Sequence, residues 1–247
     1  TNNLGFARAA NQATLQARGD YLLMLNSDAE LLDDGIEQIL HLLDKENNIG
    51  IATGRMLNSK GCDIPSYYRF PGLLDLIKSY SIDRVYAVGN MIRGRKRQYT
   101  SEHDGNMVFD VDWVSGGYLI VRNDLITRDG VFDKRIFMYF EDALLCRRAW
   151  NTGYRVVFYD GACVKHLQGA SAKQIRVDAV RYSYESSRIY IHEIYGDNIL
   201  RLYETMIRQA WRIILALLAV LRIIGIVRVV EVKQVLFRRL LEVPRIT

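Results

Sequence analysis

The sequence predicts an α/β layered fold, an open, mostly parallel mixed sheet flanked by helices, from three features near its start. Apolar residues recur at helical spacing over residues 4–18, and a glycine follows them. The apolar run Tyr21–Leu25 is typical of a strand that is buried on both faces of a parallel sheet. A second helix over about 34–45 then precedes a second strand, Ile49–Thr53. Ligands of such folds bind beyond the carboxyl ends of the strands.

The composition indicates a folded chain in a reducing compartment. The 247 residues are 49% hydrophobic and 25% charged, which is enough for one domain with an appendage. The three cysteines are widely spaced and form no C-x-x-C pair, so neither a disulfide framework nor a structural zinc site is indicated. The sequence begins without methionine or an apolar leader, and we expect residue 1 to be a cut with no signal peptide.

The positive charge is concentrated near the carboxyl end. The net charge is +5, yet residues 201–247 hold nine Lys or Arg and three Asp or Glu, which leaves residues 1–200 almost neutral. This asymmetry predicts an anionic partner for the end of the chain.

Regular elements are hardest to predict over residues 58–110. This stretch contains two prolines and the basic run 93–97, so we expect loops with one or two short helices. The pattern resumes with the strands Tyr118–Arg122 and Arg155–Tyr159. A helix over Glu141–Thr152 lies between them, and Gly153 ends it.

The segment Asn26–Glu30 follows the first predicted strand and places polar side chains at the ligand-binding edge of the sheet. A hard divalent cation that bridges phosphates needs only one or two protein carboxylates, so Asp28 is a candidate ligand. The alternative is a turn in which Asn26 and Asp28 bond the local backbone. His166 follows another strand on the same side and is a candidate imidazole ligand, although a single histidine is more often structural.

Two adjacent carboxylates, Glu141 and Asp142, follow an aromatic run and open a helix. A carboxylate at a cleft can accept a proton from an attacking hydroxyl when apolar neighbours or a like charge raise its pKa. Capping of the helix explains one acidic residue equally well. The segment Asp112–Gly117 has adjacent glycines and a tryptophan on which a sugar could stack, or it is a core tryptophan beside a turn.

In chain order these segments resemble glycosyltransferase family 2, an inverting family with a GT-A-like fold, and especially its bacterial rhamnosyltransferase-like members. The resemblance extends from residue 2 to about residue 171. The matching segments are the N-x-G-F-A-x-A-x-N helix Asn3–Asn11, the strand end Tyr21–Glu30, the W-x-S-G stretch Asp112–Arg122, the turn Gly130–Asp133, the segment Phe137–Cys146, and Gly153–Val156 with His166.

The resemblance implies metal-dependent transfer of a sugar from a nucleotide-sugar donor. Asp28 and His166 would hold Mg²⁺ or Mn²⁺ against the donor diphosphate. Asp142 would deprotonate the acceptor hydroxyl, and Glu141 would assist it. The implied substrate-binding residues are Asn3, Trp113, Gly116 and Gly117.

The sequence departs from the family pattern at several points. Leu144 replaces the second aspartate of E-D-x-D-L, and the family's D-x-D is reduced to Asn26-x-Asp28. The family's opening strand and the units that grip the nucleotide base precede the Asn3–Asn11 helix and are not in this sequence. We therefore expect an incomplete donor pocket and an inactive chain, with one sheet edge exposed.

The predicted organisation is a partial catalytic domain over 1–175, connecting helices over 176–210 and a basic amphipathic tail over 211–247. The tail is apolar from Trp211 to Val230 apart from a glycine and three arginines. Arg222 near its centre disfavours a membrane span. The tail therefore favours a helix in the headgroup layer of an anionic membrane, or else a helix packed on the protein.

These features predict a cytoplasmic enzyme on the inner face of the plasma membrane, acting in cell-surface polysaccharide synthesis. Its donor sugar would be rhamnose or a similar hexose, and its acceptor a saccharide or a polyprenyl-diphosphate-linked saccharide. The alternatives are a non-catalytic remnant and a binding module for membranes or nucleic acid. The near-neutral residues 1–200 disfavour nucleic acid, whose recognition needs clustered positive charge.

Overall fold

A computed structural model describes residues 3–81, 100–103, 105–167, 176–223 and 230–244. The basic run 93–97 lies outside this part of the chain. Two compact units are present, one formed by Thr1–Phe70 with Ile92–Gln174 and the other by Pro71–Met91 with Ile175–Thr247. The three-part division predicted from the sequence stays a prediction.

Helices and strands alternate through the first unit, and helices form the second. The helices are α1 (Phe6–Thr14), α2 (Gly35–Lys45), α3 (Leu73–Tyr80), α4 (Glu141–Asn151), α5 (Arg176–Ile223) and α6 (Val230–Leu241). The strands are β1 (Tyr21–Leu25), β2 (Ala29–Leu31), β3 (Ile49–Leu57), β4 (Asp63–Ile64), β5 (Tyr67–Tyr68), β6 (Thr100–His103), β7 (Asn106–Asp110), β8 (Trp113–Val114), β9 (Tyr118–Arg122) and β10 (Arg155–His166). Helix α2 and strands β1, β3 and β9 lie where the sequence predicts them, and the α/β prediction is confirmed.

The main sheet is mixed, with the strand order β1-β9-β3-β10-β7-β6, and β2 and β4 pair with β10 and β3. The predicted mixed sheet is confirmed, but it is not mostly parallel, because β3 with β10 is the one parallel pairing among the described strands. Strand β9 lies between β1 and β3 and runs antiparallel to both. An apolar run shows that a strand is buried on both faces but not which way its neighbours run. Strands β1, β3 and β10 nevertheless share one direction, so their carboxyl ends meet at one edge.

Strand β10 is longer than the sequence predicts. The predicted strand ended at Tyr159, whereas β10 continues to His166 after an irregularity between Phe158 and Cys163. Its last residues pair with β2, and His166 lies opposite Ala29. This extension carries the histidine to the residues that follow β1.

Helix α2 packs against the central strands and fixes their position. Ile39, Leu42 and Leu43 are fully buried in a core with residues of β3 and β10. Gly35 at the start of α2 allows the helix to approach β10 closely, because an added Cβ would lie 2.4 Å from Cα of Ala162. This packing fixes the positions of the strands and therefore of the polar residues that follow them.

The second unit is a helical cluster with a buried polar centre. Helix α5 is broken at Gly196, where φ is 77° and ψ is 178°, and its two segments pair through Arg188 and Glu204 at 2.6 Å. Trp211 is fully buried and donates its indole N–H to the carbonyl of Tyr80 over 2.7 Å. Trp211 therefore packs inside this unit, which fits the alternative of a packed helix at this residue, while the membrane association predicted for the tail stays a prediction. In the part of the chain that the structure describes, no helix is long and apolar enough to cross a membrane.

Candidate active site

Asp28 and His166 lie together at the carboxyl ends of β1 and β10. The Oδ1 atom of Asp28 is 2.9 Å from Nε2 of His166, and the side-chain nitrogen of Asn26 is 3.3 Å from the same Nε2. The backbone N–H of Leu167 donates to the carbonyl of Asp28 over 2.9 Å. The pairing of β2 with β10 therefore brings together the two residues that the sequence predicts as metal ligands.

The donor types at this place fit a hard divalent cation. Asp28 offers a carboxylate and His166 an imidazole, which leaves other positions for phosphate and water. Among the described residues no cluster of three or more His, Cys, Asp or Glu side chains could hold a metal. The Nδ1 atom of His166 is buried and has no hydrogen-bond partner in that part of the chain, so the Asp28 contact chiefly orients the ring.

Glu141 and Asp142 open helix α4, as the sequence predicts. Asp142 accepts two backbone N–H groups, from Gly116 at 2.9 Å and from Ala143 at 2.8 Å. Glu141 is buried, and its Oε2 atom has no hydrogen-bond partner among the described residues. Only Asp142 of the two keeps part of its surface accessible.

The surroundings of this carboxylate pair favour the protonated forms. Burial raises the pKa of Glu141, and the adjacent charge of Asp142 raises it further. Burial also raises the pKa of Asp142, although the N–H groups of Gly116 and Ala143 oppose the shift. A carboxylate with a raised pKa is a better proton acceptor near neutral pH than an ordinary aspartate.

The backbone before α4 is strained. Tyr139 and Phe140 have φ values of 72° and 67°, in the left-handed region that side-chain-bearing residues rarely occupy. This turn points the chain into α4 at Glu141. Such strain costs about 1–3 kcal/mol per residue and is common at active sites.

The loop of Ser115–Gly117 joins the two groups of polar residues. The N–H of Asn26 donates to the carbonyl of Gly117 over 3.0 Å, and the N–H of Gly116 donates to Asp142. A Cβ on Gly117 would lie 3.4 Å from the Asn26 side chain and 3.2 Å from Cε of Met56. Both glycines are buried, so they position their neighbours through the backbone.

Trp113 makes packing and hydrogen-bond contacts within the protein, in addition to its predicted contact with a sugar. Its ring stacks on Tyr68 with centroids 4.4 Å apart and an interplanar angle of 27°, and its indole N–H donates to the carbonyl of Arg69 over 3.0 Å. One ring face is thus covered by Tyr68. Because the ring is only partly buried, its proposed contact with substrate stays a prediction.

Tyr68 is a residue near the site that the sequence does not reveal. It lies on β5, which pairs with β8, and its hydroxyl donates to the carbonyl of Pro65 over 2.8 Å. Burial raises the pKa of Tyr68 and the charge of Asp142 adds to the rise, so the ring lies near the candidate base. Strand β5 is only two residues long, so it has no alternating pattern that would predict a strand from the sequence. The two adjacent tyrosines are the one local feature that marks it within the irregular stretch 58–110.

Asn3 lies in the turn before α1. Its Oδ1 atom accepts the N–H of Gly5 over 3.0 Å, which stabilises the turn before α1. With Leu4, Arg8, Arg135, Ile136 and Phe137 it lines a shallow cavity of about 170 Å³, whose lining includes none of the residues of the carboxylate pair or the predicted metal ligands.

Helix α1 forms hydrogen bonds with the backbone of the segment Phe132–Phe137, which precedes α4. The Asn11 side chain donates to the carbonyl of Phe132 and accepts its N–H, both over 2.8 Å. The N–H of Phe6 donates to the carbonyl of Phe137, also over 2.8 Å. In the sequence Asn11 stands out only as the last residue of a motif, since its pairing partner lies 121 residues away.

Comparison with known proteins gives one family and several relatives. The glycosyl transferase family 2 model matches residues 1–111. The N-acetylglucosaminyl-diphospho-decaprenol L-rhamnosyltransferase of Mycobacterium tuberculosis H37Rv is 24% identical over 203 residues, 76% of this chain and 64% of the relative. The rhamnosyltransferase WbbL of Escherichia coli K12 is 24% identical over 177 residues, 71% of this chain and 62% of the relative.

The chain therefore spans less than two thirds of the length of these curated relatives. Among solved structures, GalNAc-T7 with UDP, GalNAc and Mn²⁺ has a TM-score of 0.45 at 13% identity. That match covers 82% of this chain and 41% of GalNAc-T7.

Proposed function

We propose that the chain is a member of glycosyl transferase family 2, whose model matches residues 1–111, and that it transfers a sugar from a nucleotide-sugar donor to a hydroxyl, with inversion. The observation that carries the proposal is the backbone link between two chemically different groups. Gly116 bonds Asp142, and Gly117 bonds the backbone of Asn26 beside Asp28 and His166. An inverting displacement needs these two kinds of group on opposite faces of the anomeric carbon.

Asp142 is the proposed base. It accepts the proton of the acceptor hydroxyl as that oxygen bonds to the anomeric carbon, and the bond from that carbon to the diphosphate breaks on the opposite face. One such displacement inverts the anomeric centre. Asp142 is less buried than Glu141, and two backbone N–H groups already fix the orientation of its carboxylate.

Glu141 is a positioning residue in this proposal. It is buried beside Asp142, and the charge of that neighbour raises the pKa of Glu141. A neutral Glu141 lets Asp142 ionise next to it without a second buried charge.

Asp28 and His166, with Asn26 beside them, are the proposed residues that hold Mg²⁺ or Mn²⁺. The ion would neutralise charge on the departing nucleotide diphosphate. The approach of the Asp28 carboxylate to Nε2 of His166, at 2.9 Å, supports this assignment.

The proposed donor sugar is rhamnose or a similar hexose, and the proposed acceptor is a lipid-linked saccharide. Both follow from the names of the relatives, one of which acts as an L-rhamnosyltransferase on N-acetylglucosaminyl-diphospho-decaprenol. Such an acceptor would place the enzyme on the inner face of the plasma membrane, in cell-surface polysaccharide synthesis.

Turnover of nucleotide sugars by the full-length gene product tests the proposal. Wild-type protein is assayed with a panel of nucleotide sugars and a lipid-linked acceptor in the presence of Mn²⁺, and the anomeric configuration of the product is determined. We expect one donor to be used and Asp142→Asn to lose about 10²- to 10⁴-fold of the rate. Asp34→Ala, an exposed carboxylate at the start of α2, is the control. A product with retained configuration would contradict the mechanism.

A further inference from the structure

Helix α5 carries a row of exposed apolar side chains. Their exposed fractions range from 42% to 61%, and they are separated by four, seven, four and three residues, which places them along one face of a helix. The row consists of Leu202, Met206, Ile213, Leu217 and Val220. It extends over about 27 Å at 1.5 Å per residue.

This apolar row is separate from the face that packs inside the helical unit. Tyr203, Ile207 and Trp211 have no exposed surface, and Leu218 is 7% exposed. The helix is therefore apolar on two faces, one buried and one in contact with solvent. A contiguous exposed apolar face of this kind marks an interaction surface.

The exposed charged side chains between positions 201 and 220 are both positive. Arg201 and Arg212 are exposed, and because they are eleven residues apart they lie on the same flank of the helix. The one acidic residue between positions 201 and 220 is Glu204, which is 2% exposed and paired with Arg188. Between positions 201 and 220, the solvent-facing side of the helix thus combines apolar side chains with exposed positive charge.

We propose that the row, defined by Leu202, Met206, Ile213, Leu217 and Val220, is a docking surface for an anionic lipid bilayer. Helix α5 lies in the plane of the membrane, with the row at the acyl boundary and Arg201 and Arg212 at the lipid phosphates. The inference deepens the proposed function, since it rests on an acceptor held in a membrane. It assigns the contact to this row rather than to Trp211, which is buried.

A second copy of the chain is a less suitable partner for this surface. A two-fold symmetric pair of α5 helices would bring the arginine flanks of both copies to one interface. Like charges at such an interface oppose association, whereas lipid phosphates attract both arginines.

Sedimentation of the full-length protein with lipid vesicles tests the proposal. Vesicles of phosphatidylcholine are compared with vesicles that also contain phosphatidylglycerol. We expect binding to the anionic vesicles that weakens with added salt, and a loss of at least about tenfold in affinity for Ile213→Glu/Leu217→Glu. Arg201→Gln/Arg212→Gln should lose several-fold on anionic vesicles alone. Leu74→Glu changes an equally apolar, 77% exposed residue of α3 and should leave binding unchanged.

Thermal melting of each variant establishes that it is folded, and donor turnover in detergent separates this proposal from the enzymatic one. The Ile213→Glu/Leu217→Glu variant should retain donor turnover in detergent but should no longer bind the anionic vesicles. Unchanged vesicle binding in this variant would overturn the proposal. The proposal would also be overturned if the wild-type protein did not bind vesicles but formed concentration-dependent dimers, and if Ile213→Glu/Leu217→Glu abolished those dimers.

Discussion

The backbone N–H of Gly116 donates to Oδ2 of Asp142 over 2.9 Å and fixes the carboxylate at the start of α4. The two residues are 26 positions apart, and each belongs to a different motif of the sequence. A Cβ on Gly116 would lie 3.6 Å from the same oxygen, an ordinary van der Waals distance. The requirement at this position is therefore the N–H group and its direction.

The rate of sugar transfer should rise with pH over a range that lies above the ordinary aspartate pKa of about 3.9. Asp142 must be ionised to accept a proton, and burial raises its pKa. The pH profile of kcat/KM for the acceptor measures this directly. An acid limb at or below about pH 4 would show that another group is the base.

Glu141→Gln should stabilise the protein at neutral pH. Because burial raises the pKa of Glu141 in the folded state, the folded protein holds this proton more tightly than the unfolded chain does. The stability from protonation is therefore complete below about pH 4 and is lost as pH rises through the raised pKa. Glutamine stays neutral and avoids this loss. Each tenfold difference in proton affinity between the folded and unfolded states corresponds to about 1.4 kcal/mol.

Urea denaturation of wild type and Glu141→Gln at pH 5 and pH 8 measures this difference. The advantage of the variant should be larger at pH 8. Equal differences at both pH values would mean that the folded-state pKa of Glu141 is ordinary.

Asn11→Ala should destabilise the first unit and slow sugar transfer. The substitution removes two hydrogen bonds to the backbone of Phe132 and leaves a buried N–H and carbonyl unpaired. Each unpaired group costs about 1–3 kcal/mol. Gln12→Ala, an exposed neighbour on α1, should stay within about 0.5 kcal/mol of wild type. If the two variants unfold at the same urea concentration, the Asn11 contact is not needed for stability.

Gly130→Ala should be more damaging than Gly153→Ala, although both glycines have a positive φ. The φ values are 106° and 87°, but a Cβ on Gly130 would lie 2.4 Å from Cγ of Asn11, and one on Gly153 would meet nothing within 4 Å. Gly153→Ala thus reports backbone strain alone, about 1 kcal/mol. Comparison of the melting temperatures of the two variants isolates the steric contribution, and similar values would contradict the packing of Gly130 on Asn11.

The sequence predicts much of the candidate site because the end of a buried strand can be recognised where an apolar run gives way to polar residues. The apolar run Tyr21–Leu25 ends where Asn26 begins, and that boundary alone places Asp28 at a sheet edge. Helix α4 begins at Glu141, as its residue pattern predicts. In each case the signal is local, since a run of residues and its boundary are adjacent in the chain.

Features that depend on distant pairing could not be predicted in the same way. The direction of β9 depends on which strands it lies between, and the two-residue strand β5 exists only because it pairs with β8. The burial of Trp211 depends on Tyr80, 131 residues away. Tertiary contacts decide these features, and local composition is compatible with either outcome.

The dependence of the transfer rate on Mn²⁺ concentration tests the proposed chemistry most directly, with full-length wild type, Asp28→Ala and Asp142→Asn compared side by side. We predict that Asp28→Ala raises the Mn²⁺ concentration needed for half-maximal rate. Asp142→Asn should lower the maximal rate by about 10²-fold or more without moving that concentration. The proposed roles would be contradicted if Asp142→Asn retained the wild-type maximal rate, or if Asp28→Ala left the Mn²⁺ requirement unchanged.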